Sequence, residues 1–227
     1  MKISQEFSKH AFEYESYNDI QKRVADKLLS HVDSKPKHIL DLGCGSGAIC
    51  KSINWKYTHF IGVDFAPAML ELHPKSLTIE SIYGDFNDTT LFEKLKTSKY
   101  DYIFSASALQ WSMNLDESFK EIKALNAPIS LAIFTSSTFK TLNKTASIES
   151  LLKSKEEIDE LQKKYFDVNF EVMTYKLEFT SVREMFRYIK HSGVSGSRNL
   201  LSIKEMKQLM REYPINYLEF EVVFLYS

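Results

Sequence analysis

The chain has 227 residues, 44% of them hydrophobic and 26% charged, which suits one soluble globular domain with room for an inserted helical lid. Twenty-nine basic residues against thirty acidic ones leave a net charge of −1, so there is no global attraction to nucleic acid or to an anionic membrane. The opening residues Met1-Lys2-Ile3-Ser4-Gln5-Glu6 lack the apolar core of a signal peptide, and no segment approaches the roughly 18–20 apolar residues that span a bilayer.

A cytoplasmic protein with no membrane or nucleic-acid partner is therefore expected. Cys44 and Cys50 stand six residues apart, with no Cys/His cluster of zinc spacing around them. They read as reduced thiols, and no metal is expected.

In chain order, Ile20, Val24, Leu28 and Val32 mark one apolar stripe of a helix over residues 17–33. The short run His38-Ile39-Leu40-Asp41-Leu42 predicts a buried strand that ends at a glycine turn. A helix follows over 48–55, then a strand Phe60-Ile61-Gly62-Val63-Asp64 and a helix over 66–72 with Pro67 in its first turn. A third strand is predicted from Leu77 to Tyr83 and a fourth from Tyr100 to Ser105. An amphipathic helix over 114–125 and a fifth strand from Ile129 to Phe134 complete the alternation. Such alternation implies βαβ units and a mainly parallel, doubly wound α/β sheet.

Residues 138–165 are helical in composition, with a charge run from Lys153 to Lys164 that reads as a solvated face. A strand over 170–179, helices near 181–191 and 202–212, and a last strand over about 215–226 follow. The expected whole is one domain over residues 1–227 with seven strands. Helical lid elements are expected at about 1–33 and, after strand five, at 138–165.

Three of the seven glycines, Gly43, Gly45 and Gly47, fall within five residues after the first strand. Ligands of open α/β sheets bind outside the carboxyl ends of the strands, and glycine there lets a ligand approach the backbone. The spacing is G-x-G-x-G, not the G-x-G-x-x-G of dinucleotide sites, and Asp41 stands two residues before it. A carboxylate at that point suits a ligand carrying ammonium and sulfonium groups and opposes a pyrophosphate.

Asp64 ends the second strand, 17 residues after Gly47, where a carboxylate can accept both hydroxyls of a ribose. Asp85 and Phe86, after the third strand, are candidates for an adenine amino group and an apolar wall. Beyond strand four, Ser105-Ala106-Ser107-Ala108-Leu109-Gln110-Trp111 leaves room at the sheet edge. Ser105 there is a candidate cofactor contact, while Gln110 and Trp111 offer an amide and a large ring to a second ligand.

Residues 38–111 resemble the class I S-adenosylmethionine-dependent methyltransferases, whose fold is a Rossmann-like seven-stranded sheet. The flanks are more specific. Phe7-Ser8-Lys9-His10-Ala11 with Tyr14, then Gln21 through Leu28, are similar to the opening of the malonyl-acyl-carrier-protein O-methyltransferases of biotin synthesis. So are Ala108-Leu109-Gln110-Trp111, Phe134-Thr135-Ser136, Ile189 through Ser195, and Tyr213-Pro214-Ile215-Asn216-Tyr217. Two departures stand out. Residues 125–129, Leu-Asn-Ala-Pro-Ile, lack the family's Pro-Gly-Gly turn, and Ser195 follows Val194 where threonine is common.

The resemblance implies S-adenosylmethionine as cofactor and malonyl-acyl carrier protein as partner and substrate, methylated at its free carboxylate. Another small carboxylate or a quinone precursor is the alternative acceptor; a nicotinamide dehydrogenase is disfavoured by the glycine spacing and the preceding acid. A carboxylate is already ionised near neutral pH and needs no general base. Orientation of the acceptor is expected from Tyr14, Gln110, Trp111, Arg187 and Lys190. Arg183, Arg187 and Lys190 share one helix face, and Lys204, Lys207 and Arg211 share another. Arg187 or Lys190 is the expected grip on the carboxylate, and the other basic residues are expected to meet an acidic carrier.

Overall fold

The computed structural model describes residues 18–191 and 203–227. Tyr14, the stretch Phe7 to Ala11 and the whole of residues 192–195 lie outside them. Seven strands form one sheet: β1 (His38–Leu42), β2 (His59–Asp64), β3 (Ile79–Tyr83), β4 (Tyr102–Ala106), β5 (Ile129–Phe134), β6 (Asn169–Glu178) and β7 (Tyr217–Tyr226). Their order is β3-β2-β1-β4-β5-β7-β6. The first five run parallel, and β7 pairs antiparallel with both β5 and β6.

The described helices are α1 (Asp19–Ser30), α2 (Ala48–Ser52), α3 (Pro67–Leu72), α4 (Thr89–Leu95), α5 (Leu115–Ala124), α6 (Lys140–Ala146), α7 (Lys155–Gln162), α8 (Val182–His191) and α9 (Ile203–Glu212). A single 3-10 turn, Leu109–Trp111, follows β4.

The period-2 alternation of the strands feeds two core layers. Leu40, Leu42, Ile61, Val63, Ile103, Leu131 and Ile133 point to one face, where Phe92 of α4, Phe119 and Ile122 of α5 and Ile158 of α7 cover them. Ile39, Phe60, Phe104, Ala132, Phe134 and Phe220 point to the other. There the fully buried stripe Ile20, Val24 and Leu28 of α1 closes the layer, with Met185 of α8 and Leu209 of α9 beside it. Central strands buried on both faces read as continuous apolar runs, and β5 is buried at every position.

Four expectations are corrected. The third strand begins at Ile79 and not at Leu77, which is wholly exposed. The hydroxyl of Ser76 accepts the Thr78 amide at 3.2 Å and turns the chain there. Helix α4 was not foreseen: Asp88 caps it through the Thr90 amide at 2.9 Å, and Leu91, Phe92 and Leu95 hold it to the sheet. The helical stretch over 138–165 is two helices. Ser147 leaves α6 at a positive φ of 53°, and a capping box between Ser154 and Glu157 starts α7. The described part of the N-terminal segment, α1, is a fixed core layer.

The strand order reverses between β1 and β4, which lie side by side although distant in sequence. Such a switch point opens a crevice at the carboxyl ends of the strands. Phe134 at the end of β5 pairs with Val222. Residues 217–221 of β7, with their partners 174–178 of β6, therefore project past that same edge. Helices α8 and α9 lie in the chain between these two strand ends and pack through Met185, Tyr188 and Leu209 into the core layer that holds α1.

Candidate functional site

The crevice is an open cleft lined by Gly43, Gly45, Asp64, Phe65, Met69, Phe86, Ala106, Ser107, Ala108 and Trp111. Among the described residues, no group of His, Cys, Asp and Glu is arranged to hold a metal ion, and no helix is long and apolar enough to cross a membrane.

The glycine loop is tied down at its start. The amides of Gly43 and Cys44 both donate to the carbonyl of Val63 on β2, at 2.8 and 2.9 Å. A Cβ on Gly43 would sit 2.2 Å from that of Ala108, so only glycine lets the loops after β1 and β4 touch. At Gly45 a Cβ would meet nothing within 4 Å: this residue opens onto the cleft at a φ of 54°. Gly47 has a different job. It is not at the cleft; it turns the chain into α2 against Pro74 and His73.

Asp64 is 7% exposed. Its Oδ2 accepts the Gly45 amide and its Oδ1 the Ala66 amide, both at 2.8 Å. Burial pushes its pKa up to about 6, against the lowering effect of these amide donors. Asp64 is part of the cleft lining.

Asp41 lies beneath the loop, 1% exposed, and its Oδ1 has no hydrogen-bond partner. Burial, followed by the neighbouring charge of Asp64, raises its pKa to about 8. A buried carboxyl oxygen without a partner is a costly arrangement.

The structure separates the other candidates. Phe86 walls the cleft, 9% exposed. Asp85 turns its Oδ1 toward the Asn87 amide and Nδ2, at 2.9 and 2.8 Å, and is not on the lining. Ser105 is corrected: fully buried, it donates to the Leu42 carbonyl at 2.7 Å and bolts β4 to β1 below the cleft. Trp111 lines the cleft. Gln110 does not reach outward; its Nε2 folds back onto the Ser107 carbonyl at 2.6 Å, and its Oε1 is buried without a partner. Arg187 is exposed on α8. Tyr14 and the side chain of Lys190 lie outside the described residues.

Phe65, Met69 and Ser107 line the cleft without having been singled out from the sequence. Phe65 and Met69 follow Asp64 into α3, which is a usable signal. Ser107 has none, because its positive φ of 59° is invisible in a serine.

Residues 39–128 match the methyltransferase-domain family, and that span holds every residue of the lining. This stretch of the chain is a methyltransferase domain. The methyl donor of this methyltransferase is S-adenosylmethionine. The cleft fits such a donor: a partnerless carboxyl beneath the loop answers a cation, and Gly45 leaves space where any other residue would place a side chain.

The methyltransferase shares its fold with the YcgJ protein of Bacillus subtilis, with a TM-score of 0.63 and 12% identity over 89% of this chain and 96% of that one. The malonyl-[acyl-carrier protein] O-methyltransferase of Halalkalibacterium halodurans is 24% identical over 92% of this chain and 88% of its own. That of Legionella pneumophila is 30% identical over 62% of this chain. The match spans about half, 52%, of the Legionella protein.

Proposed function

We propose that this methyltransferase transfers a methyl group from S-adenosylmethionine to the free carboxylate of a malonyl group carried on acyl carrier protein, an early step of biotin synthesis. The observation that carries the reading is similarity along nearly the whole chain, flanks included, to a malonyl-[acyl-carrier protein] O-methyltransferase. Matches confined to the cofactor half would say nothing of the acceptor.

The chemistry of the cleft is in keeping with that acceptor. Among the described residues, Asp64 is the only ionisable side chain on the lining, and its oxygens are already engaged by backbone amides. A carboxylate nucleophile requires no deprotonation at neutral pH, whereas a phenol or an amine would require a base.

Under this reading Asp64 takes the ribose hydroxyls of the donor, Asp41 balances its cationic end, and Gly43 and Gly45 let it lie against the backbone. Phe86 flanks its adenine, with Asp85 at that end of the site. The bound donor supplies an electrophilic methyl group on sulfonium. The work of the protein is to orient the acceptor and exclude water, and Trp111 provides the apolar wall for both.

Arg187 or Lys190 of α8 holds the acceptor carboxylate. The exposed Arg183 of α8 and Lys204, Lys207 and Arg211 of α9 meet the acidic carrier protein and speed its encounter.

The test is incubation with methyl-labelled S-adenosylmethionine and malonyl-acyl carrier protein, with acetyl-acyl carrier protein as control, read by mass spectrometry of the acyl group. Label on malonyl alone is expected. No label on malonyl, with donor binding intact, removes the acceptor assignment and leaves the methyltransferase fold untouched.

A further inference from the structure

On the loop after β4, Ser107 adopts a backbone conformation that serine seldom takes, with φ at 59°. It is fixed from both sides. Its amide donates to the Ala132 carbonyl of β5 at 3.0 Å, and its carbonyl accepts Nε2 of Gln110 at 2.6 Å. Backbone strain of this kind persists where the surroundings over-determine it, and it gathers at binding sites.

The product of this arrangement is a hydroxyl at the cleft with nothing to bond. Ser107 is on the lining, and its Oγ is buried with no partner among the described residues. Buried polar atoms are nearly always satisfied, so a group left open at a ligand cleft is satisfied by the ligand. The lining side chains that carry a proton donor are those of Ser107 and Trp111; the rest are Gly, Ala, Phe, Met and the Asp64 carboxyl. The acids in and under the cleft suit cationic and hydroxylated parts of a ligand. An anionic part needs a donor, and Ser107 offers one.

We propose that the Ser107 hydroxyl is a carboxylate-binding donor of this cleft, and that Gln110 is a positioning residue that holds it through the Ser107 carbonyl. Two carboxylates meet in the reaction: that of the methionine moiety of the methyl donor, and that of the acceptor. The first source depends only on the donor. The second rests on the malonyl reading above. In either case the hydroxyl donates one neutral hydrogen bond, which holds an anion without the blunting effect of a bidentate charged clamp.

The experiment compares S-adenosylhomocysteine with 5′-methylthioadenosine, which lacks the amino-acid moiety, by calorimetric titration of the wild type and Ser107→Ala. Steady-state kinetics on malonyl-acyl carrier protein run alongside. If the donor carboxylate is the ligand, Ser107→Ala weakens S-adenosylhomocysteine by about ten- to a hundredfold and leaves 5′-methylthioadenosine unchanged. If the acceptor carboxylate is the ligand, both titrations are unchanged and KM for the malonyl carrier rises by a similar factor.

Ser107→Gly removes the hydroxyl while relieving the positive φ, so it must reproduce the loss seen for Ser107→Ala. Gln110→Met must move the same quantity in the same direction and add little on top of Ser107→Ala, the non-additivity of residues that act as one unit. Unchanged affinity together with unchanged KM overturns the proposal. So does equal weakening of both nucleosides, which reports a distorted loop. Should the wild type not methylate the malonyl carrier, the acceptor assignment falls alone and Ser107 is judged on the titrations.

Discussion

Gly43 and Ala108 approach so closely that a side chain on the first would collide with the second, its Cβ falling 2.2 Å from the Cβ of Ala108. This contact joins the loops after β1 and β4 across the point where the strand order reverses, and the cleft exists only while the two loops touch. Gly43→Ala therefore has two costs. The φ of 75° disfavours any residue with a Cβ by about 1–2 kcal/mol, and the collision must move backbone. Gly45→Ala incurs only the first, because nothing lies within 4 Å. Thermal unfolding should rank Gly43→Ala well below Gly45→Ala, and donor affinity should fall in both. Equal melting temperatures for the two variants would show that the loops separate freely.

Asp41 makes stability depend on pH in a direction opposite to that of most carboxyl groups. Its pKa is raised to about 8 in the folded chain, chiefly by burial. In the unfolded chain it returns to the ordinary aspartate range near 4. Between those values the unfolded state has released a proton that the folded state keeps, so stability falls as pH rises. The slope from this one group is at most about 1.4 kcal/mol per pH unit. Asp64, raised to about 6, adds the same sign over the lower part of the window. Asp41→Asn should flatten the decline, melting higher than wild type at pH 8 and nearly with it at pH 5. The same variant should bind S-adenosylmethionine more weakly, because under the proposed reading Asp41 is ionised beneath the cationic end of the donor. An unaltered pH profile in Asp41→Asn would place the titration elsewhere.

The donor should in turn pull the proton off. Binding a cation above Asp41 favours its charged form, so titration at pH 7 in buffers of different ionisation enthalpy should show net proton release. Asp41→Asn should abolish most of that release. Wild-type binding with no proton exchange would mean that the donor leaves Asp41 neutral.

What the sequence disclosed follows from how strongly each part is constrained. The run Ile129–Phe134 must be apolar on both faces, and its limits were readable to the residue. Gly43, Gly45 and Asp64 were readable because a ligand cleft at a strand end demands special residues there. Helix α4 escaped because two turns hold only three buried residues. Ser105 and Ser107 stand two apart on one strand end, and choosing between them requires knowing where β4 stops. Sequence reading placed the ligand contact on Ser105, which the sheet uses internally. Gln110 was assigned to the acceptor, but the 3-10 turn at Leu109–Trp111 curls its side chain back onto the loop. Phase and local curl of this kind depend on packing that no short motif records.

Ser105→Ala tests the structural role that replaces the binding one. Its hydroxyl donates to the Leu42 carbonyl in a fully buried position, so removing it leaves that carbonyl short of a bond at a cost of about 1–2 kcal/mol. Chemical denaturation should register that loss with an unchanged m-value, while affinity for S-adenosylhomocysteine stays within about twofold. A large loss of affinity at full stability would return Ser105 to the cofactor.

Arg187 is exposed on α8. Charge reversal there should act on the acceptor and not on the donor. For Arg187→Glu we expect unchanged titration of S-adenosylhomocysteine and a KM for malonyl-acyl carrier protein raised about tenfold or more, the scale of losing one hydrogen-bonded charge. If Arg187 steers the carrier instead of gripping the malonyl carboxylate, the defect shrinks as salt screens the encounter, since exposed charges more than about 8 Å apart are largely screened at 0.15 M. If it grips the carboxylate, the defect persists at high salt, because a desolvated contact is screened much less. A KM that does not move at either ionic strength removes Arg187 from the acceptor site and transfers the role to Lys190.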